Sequence, residues 1–339
     1  MLKQKLKQSI QYFAARFGAH TRSHVEPQLL ILMYHRVLPE TDARLDLEEP
    51  GMTVSPETFR MNLKLLANYF EFVSLADWLE KKNSGLPLPE KACAITFDDG
   101  WADNYEFAFP ILHEENIPAT IFTVSSMIGT QKMFWPERLA RILTIIAARH
   151  PPPWQSPCLE WLRSARTDFT FNSIAPSREQ ISQIIAHAKQ YTDQVNNVRM
   201  DLIAGTLNLN IQPQQASLLN WAQIQELIDS GSIDTGSHTC NHIRLNSQTP
   251  NHICISEILH SKQQIEAHIK QPVKTFCFPN GDHSSFALAL VRQTYTGAVT
   301  TQHGWNSASS DSYLLRRIGI HEDIASDRTA FLARISGWL

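Results

Sequence analysis

Short apolar runs recur along this chain, most of them followed by a segment patterned as an amphipathic helix, and few folds accommodate that alternation. "QLLILMYHRV" (28–37), "ACAITF" (92–97), "PATIFTV" (118–124), "KTFCFP" (274–279) and "YLLRRIGIH" (313–321) are such runs. Their length and near-continuous apolar character suit strands covered on both faces. Between the first two, Ser55 is placed as an N-cap, Pro56 at the first helical position, and Phe59, Leu63 and Leu66 as a buried stripe. Strands and helices alternating at this pitch imply parallel βα units, hence an α/β barrel or a layered sheet.

The alternation stops near Gln131. "PERLARILTIIAARH" and the stretch from Ser177 to Leu209 read as helices, separated by the proline-rich "HPPPWQSP". The predicted organisation is a basic amphipathic segment (1–27), the first part of the α/β core (28–130), a helical insertion (131–216) and the second part of the core (217–339).

Composition narrows the function classes. A net charge of −3 argues against general nucleic-acid binding, which usually shows a basic excess. The five cysteines form no CxxC pair and read as core residues in a reducing compartment. No stretch reaches the roughly 18 apolar residues of a spanning helix, and the N-terminus lacks a signal-peptide pattern. It does set Leu2, Leu6, Ile10, Phe13 and Phe17 at helical spacing beside Lys3, Lys5, Lys7 and Arg16, with no acid before Glu26. A helix lying on an anionic membrane surface and a helix packed on the domain both fit. The expectation is a cytoplasmic protein in peripheral contact with the inner face of the membrane.

Two segments carry candidate chemistry. "AITFDDG" (94–100) ends an apolar run on adjacent carboxylates. An Asp-Asp-Gly turn is one explanation. A cation held between these acids and a distant residue is another, because it offsets the repulsion that would raise one carboxyl pKa. "IDTGSHTCNHIRL" (233–245) offers that distant residue: His238 and His242 are four apart, and one helical turn would put both imidazoles on one face. Two surface histidines share the same spacing. Both segments follow predicted strand ends, however, and in parallel α/β folds those ends converge on one site. Two histidines and a carboxylate with an open position make a catalytic divalent-metal set.

"TFDDG" (96–100) and "HTCNH" (238–242), followed in order by "FCFPNG" (276–281) and "LLRRIGI" (314–320), resemble the motifs of the polysaccharide deacetylases, carbohydrate esterase family four or the NodB-homology group. "LMYHRV" and "SPETF" resemble members acting on exopolysaccharides rich in N-acetylglucosamine. The resemblance covers roughly 28–130 and 217–322 and implies a distorted (β/α) barrel with the helical insertion outside it. It further implies Asp98 as general base, with Asp99, His238 and His242 as ligands of a divalent metal. Zn²⁺ is the expected ion, with Co²⁺, Ni²⁺ or Mn²⁺ as alternatives, and it would lower the pKa of water from 15.7 toward about 7 for attack on an acetamide carbonyl. The backbone N–H of Asn280 is implied as an oxyanion donor, with Pro279 beside it in the same loop. Position on the same rim offers His35 as a substrate-lining residue or a hydrogen-bonded structural histidine, and Trp101 as a stacking platform for a sugar ring or a packed core residue. The arginine that often opens the third motif is missing, since Thr275, Phe276 and Cys277 stand there. Period-two alternation in the last strand offers Arg317 to hold Asp98 and His321 as general acid, although His321 fits a surface position equally. His303 and Trp305 of "TQHGWN" are placed on a rim loop.

The expected activity is metal-dependent deacetylation of N-acetylhexosamine units in a polysaccharide or glycan precursor. Two alternatives stand beside it. A glycosidase would need carboxylates about 5–9.5 Å apart, awkward for neighbours in sequence, and a non-catalytic glycan-binding protein could use the same fold. The N-acetylated glycan is the expected partner, and the sequence assigns no oligomeric state.

Overall fold

Seven strands pair in parallel and in chain order: β1 (Gln28–Tyr34), β2 (Lys91–Phe97), β3 (Ala119–Thr123), β4 (Ile233–Ser237), β5 (Thr275–Cys277), β6 (Gly297–His303) and β7 (Leu315–Gly319). Pairing of β7 with β1 closes the ring, so the predicted α/β barrel is observed and the layered sheet is excluded. The computed structural model describes residues 2–163, 176–213 and 215–338. Leu29 and Ile31 of β1, Ala92 and Ala94 of β2, Phe122, Val299 and Leu315 form one buried cluster with Trp78 of the helix Leu75–Asn83. The helix Pro56–Leu66 begins as the sequence predicts: Ser55 Oγ accepts from Thr58 N–H, and Pro56 occupies the first turn.

Register is what matters for function. β1 and β2 run in step from Gln28↔Lys91 to Tyr34↔Phe97, which brings His35 and Asp98 out at the same level. Thr123 pairs with Ser237, and Ser237 with Phe276, so His238 and Cys277 emerge beside them.

The chain divides into two compact units, one of Met1–Pro39, Thr53–Thr130 and Leu218–Leu339, the other of Glu40–Met52 and Gln131–Ser217. The second unit has its own core, in which Leu139, Leu143 and Ile146 of the helix Trp135–Ala147 meet Ile184, Met200 and Ile203 of Arg178–Ala188 and Asp193–Thr206. The sequence reading kept all of 28–130 in the barrel. Residues Glu40–Met52 instead join the helical unit, where Arg178 Nε donates to the Glu48 carbonyl and Lys189 pairs with Glu49. That segment is polar and lacks the periodicity that would have announced its partner. Residues 164–175, part of the expected insertion, lie outside the described residues.

The helix Leu2–Phe17 packs through Ala14 against the C-terminal helix Arg328–Arg334. At its end a Cβ on Gly18 would lie 2.5 Å from Ser336 Cβ, so only glycine lets the two segments touch. No helix among the described residues is long and apolar enough to cross a membrane.

Candidate active site

The carboxyl ends of the barrel strands carry the site. Asp98 extends β2 by one residue, its N–H donating to the Tyr34 carbonyl at 3.0 Å. The backbone then turns through two left-handed residues, Asp99 (φ 75°) and Gly100 (φ 80°), a conformation aspartate tolerates and glycine adopts freely. The turn expected of "DDG" is therefore observed, and it aims two neighbouring carboxylates at different partners.

Asp98 takes Arg317. Nη1 donates to Oδ1 and Nη2 to Oδ2, each at 2.7 Å, a bidentate pair between fully buried side chains. Arg317 is fixed in turn by the Thr300 carbonyl (2.9 Å) and Thr96 Oγ1 (3.1 Å). Burial pushes the Asp98 carboxyl up, but Arg317 foremost, then His238 and His35, hold it below the ordinary aspartate value. Cys277 completes the group: its Sγ accepts from Arg317 Nη2 at 3.1 Å and lies 3.6 Å from Asp98 Oδ2.

Asp99 takes the histidines. Its Oδ1 lies 3.5 Å from His238 Nε2 and 3.4 Å from His242 Nε2, and the three ligand atoms all fall within 4.8 Å of one another. That Oδ1 is buried and makes no hydrogen bond, a costly arrangement unless a cation completes it. His238 Nδ1 faces the Cys277 carbonyl at 2.8 Å. A carbonyl only accepts, so in the neutral imidazole the proton sits on Nδ1 and the Nε2 lone pair is left for a ligand. Burial alone would favour neutral His238, yet Cys277, Asp99 and Asp98 raise it well above the usual histidine value. Burial likewise pushes Asp99 up, while His238, His242 and His35 hold it well below the carboxylate range. The pocket favours positive charge at the point the three residues share, which is the electrostatic condition for a divalent cation.

The family model described as polysaccharide deacetylase matches residues 85–148 and 186–298, just over half of the chain. The chain belongs to the polysaccharide deacetylase family. It is 27% identical over 193 residues to YxkH of Bacillus subtilis (strain 168), covering 55% of this chain and 59% of that one. It is 42% identical over 66 residues to the poly-β-1,6-N-acetyl-D-glucosamine N-deacetylase of Escherichia coli (strain K12), 20% of this chain and 10% of that protein. The chain therefore spans less than two thirds of either relative. Among solved structures, the deacetylase PplD of Streptococcus pyogenes superposes with a TM-score of 0.57 at 19% identity, covering 89% of this chain and 96% of that one. IcaB of Ammonifex degensii gives 0.56 at 18% identity, covering 91% and 97%. At these identities the likeness is one of fold.

Several expectations from the sequence need adjustment. "HTCNH" is not a helical turn: residues 239–241 form a tight turn, with Thr239 at φ 69° and His242 at φ 56°. Both are left-handed, a strained state for a β-branched threonine. A residue that sequence reasoning missed, Glu257, holds the turn. Its buried carboxylate accepts from Cys240 N–H (2.9 Å), Asn241 N–H (2.8 Å) and Asn241 Nδ2 (2.7 Å). Nothing local distinguishes Glu257 from the other acids of its helix.

Trp101 is not a sugar platform. It is 2% exposed, the Arg36 guanidinium covers its ring at 4.2 Å, and its Nε1 donates to Asp99 Oδ2 at 3.0 Å. Arg36 is paired in turn with buried Asp103, which also accepts from Val37 N–H. The indole thus orients the Asp99 carboxylate, a role the large apolar residue concealed.

His35 is half-buried, with Nε2 4.0 Å from Asp98 Oδ2. His321 follows β7, half-buried, with Nδ1 3.2 Å from Asp323 Oδ2. Burial lowers its pKa, Arg334 and His35 add to the lowering, and Asp323 opposes it. Asn280 is exposed at φ 54° in the turn Pro279–Gly281, while Pro279 itself is buried and shapes that turn. His303 ends β6, and Trp305 follows two residues later. They line a cavity of about 650 Å³ with residues of 19–28 and 336–338.

Proposed function

We propose that the chain is a metal-dependent N-deacetylase that removes acetyl groups from N-acetylhexosamine units of a polysaccharide or its precursor. The observation that carries the reading is the division of labour between adjacent aspartates. Asp98 is paired with Arg317 and remains outside the ligand set, while Asp99 faces His238 and His242 with an unsatisfied oxygen. A divalent cation held by Asp99, His238 and His242, with Zn²⁺ the best match to the donor set and Co²⁺, Ni²⁺ or Mn²⁺ compatible, supplies Lewis acidity at the acetamide carbonyl and makes water more acidic.

The protein's own groups do the rest. Asp98, kept ionised by Arg317, takes the proton of the attacking water. Arg317 also fixes both carboxylate oxygens, so that the base presents one geometry. The backbone N–H of Asn280 holds the developing oxyanion. His321, oriented by Asp323 through Nδ1, delivers a proton to the departing amine. Relatives named as poly-β-1,6-N-acetyl-D-glucosamine N-deacetylases in Escherichia coli and the staphylococci support a β-1,6-linked N-acetylglucosamine polymer as substrate class.

Acetate release from N-acetylglucosamine oligomers tests the proposal. Removing the general base in Asp98→Asn lowers the rate by at least about 10²-fold, while Zn²⁺ binding measured by chelator competition persists. Acetate release that survives both Asp98→Asn and metal chelation overturns the mechanism. Metal binding without turnover on any acetylated oligomer would leave a glycan-binding protein.

A further inference from the structure

Along residues 8–17 of the helix Leu2–Phe17, Ala14 is buried and Ile10, Phe13 and Phe17 are exposed. Ile10, Phe13 and Phe17, three or four residues apart and so on one face, are 46%, 55% and 46% exposed, and the rings of Phe13 and Phe17 stack on each other at 6.2 Å. Exposed aromatic side chains cost solubility without helping to hold the fold, so a contiguous stripe of them marks a contact surface. The stripe continues past the helix. Arg22 Nε donates to the Phe17 carbonyl, and its guanidinium lies over the ring of Trp338, itself half exposed. Arg22 and Trp338 also line the 650 Å³ cavity, together with Trp305 and Arg316.

Charge identifies the occupant. The cavity lining contains arginines and histidines and no acid. Among the described residues no carboxylate pairs with Arg16, Arg22 or Arg316. The helix itself carries Lys3, Lys5, Lys7 and Arg16, and the first acid of the chain is Glu26. An apolar stripe bordered by cations, with indole rings at its margin, matches the layering of a bilayer surface: acyl chains, interfacial aromatics and anionic headgroups.

We propose that this face docks on an anionic lipid bilayer, with Ile10, Phe13, Phe17 and Trp338 entering the acyl boundary and Arg22 and Arg316 meeting lipid phosphates at the mouth of the cavity. None of these residues belongs to the proposed active site, so the inference stands whatever the chain's chemistry. Docking restricts the enzyme to substrates near the membrane plane without altering the barrel.

Flotation of the purified full chain with phosphatidylcholine vesicles, with and without phosphatidylglycerol, tests it. The protein binds only the anionic vesicles, and added salt weakens the binding. Arg22→Gln with Arg316→Gln lowers the partition coefficient about 30-fold, near 5-fold for each charge. Phe13→Ser with Phe17→Ser lowers it at least about ten-fold, by withdrawing two exposed rings from the interface. Both variants keep the wild-type melting profile and acetate release from a soluble oligomer. Wild-type protein that ignores phosphatidylglycerol vesicles at low salt overturns the proposal. So does equal binding by the folded variants, or a dimer in sedimentation that Phe13→Ser with Phe17→Ser dissolves, since a second copy would then be the occupant.

Discussion

Glu257 offers the most informative perturbation, because it touches neither metal nor substrate yet fixes where His242 can be. Its carboxylate satisfies three N–H donors of residues 240 and 241 from a position 4% exposed to solvent. Hydrogen bonds to a buried charge contribute about 1.5–3 kcal/mol each, against about 1 kcal/mol for neutral ones. In Glu257→Gln the amide oxygen keeps two donors as weaker neutral bonds. Its NH₂ then faces Asn241 Nδ2, donor against donor, unless the Asn241 amide flips and donates to Ser126 Oγ, whose own proton turns to the Cys240 carbonyl. Allowing for that relaxation, the turn loses about 2–3 kcal/mol. The left-handed Thr239 and His242 store strain of about 1–3 kcal/mol each, so the loss is comparable with what the carboxylate was restraining. The turn relaxes, the His242 imidazole leaves the position shared with Asp99 and His238, and metal affinity falls about 10–100-fold. Zn²⁺ titration of metal-stripped protein against a chromogenic chelator measures this, with far-UV circular dichroism as the check on folding. A folded Glu257→Gln protein with wild-type Zn²⁺ affinity would refute the argument.

Three further outcomes follow from the same geometry. Arg317→Met strands the buried Asp98 carboxylate, and breaking such a pair costs about 3–5 kcal/mol of stability at neutral pH, measurable by urea unfolding. In the wild type the Asp98 pKa is depressed, so the pair's contribution is present above the usual aspartate value and is lost as pH falls through the lower folded one. In the variant only His238 and His35 still oppose burial, and that pKa rises; the stability gap to wild type therefore narrows on acidification, and a gap constant from neutral to acid pH would contradict this. Trp101→Phe keeps a ring under Arg36 but removes the indole donor to Asp99 Oδ2; metal affinity falls at least several-fold with little change in melting temperature, and an unchanged affinity would show the indole to be mere packing.

The residues that meet in the site were largely legible beforehand, for a local reason. Asp98 and Asp99 end an apolar run, His238 and His242 follow another predicted strand end, and the carboxyl ends of parallel strands face one rim whatever the details. Orientation was a different matter. Alternation along the last strand did offer Arg317 to Asp98, but not the register irregularity it crosses, in which two residues of β7 answer four of β6. Trp101 looked like a sugar platform because aromatic rings serve that use; its burial under Arg36 depends on Asp103, which gave no sign of its own.

By itself the sequence determined the class of fold and the identity of the side chains that meet at the candidate site. Apolar periodicity and motif order are properties of neighbouring residues, so they survive without knowledge of packing. Tertiary structure alone decided that residues 40–52 leave the barrel for the helical unit, and that Glu257 and Trp101 brace the histidine turn and the Asp99 carboxylate. Each of these pairs segments far apart along the chain, and which polar group meets which is settled by strand register and burial once the whole molecule is assembled.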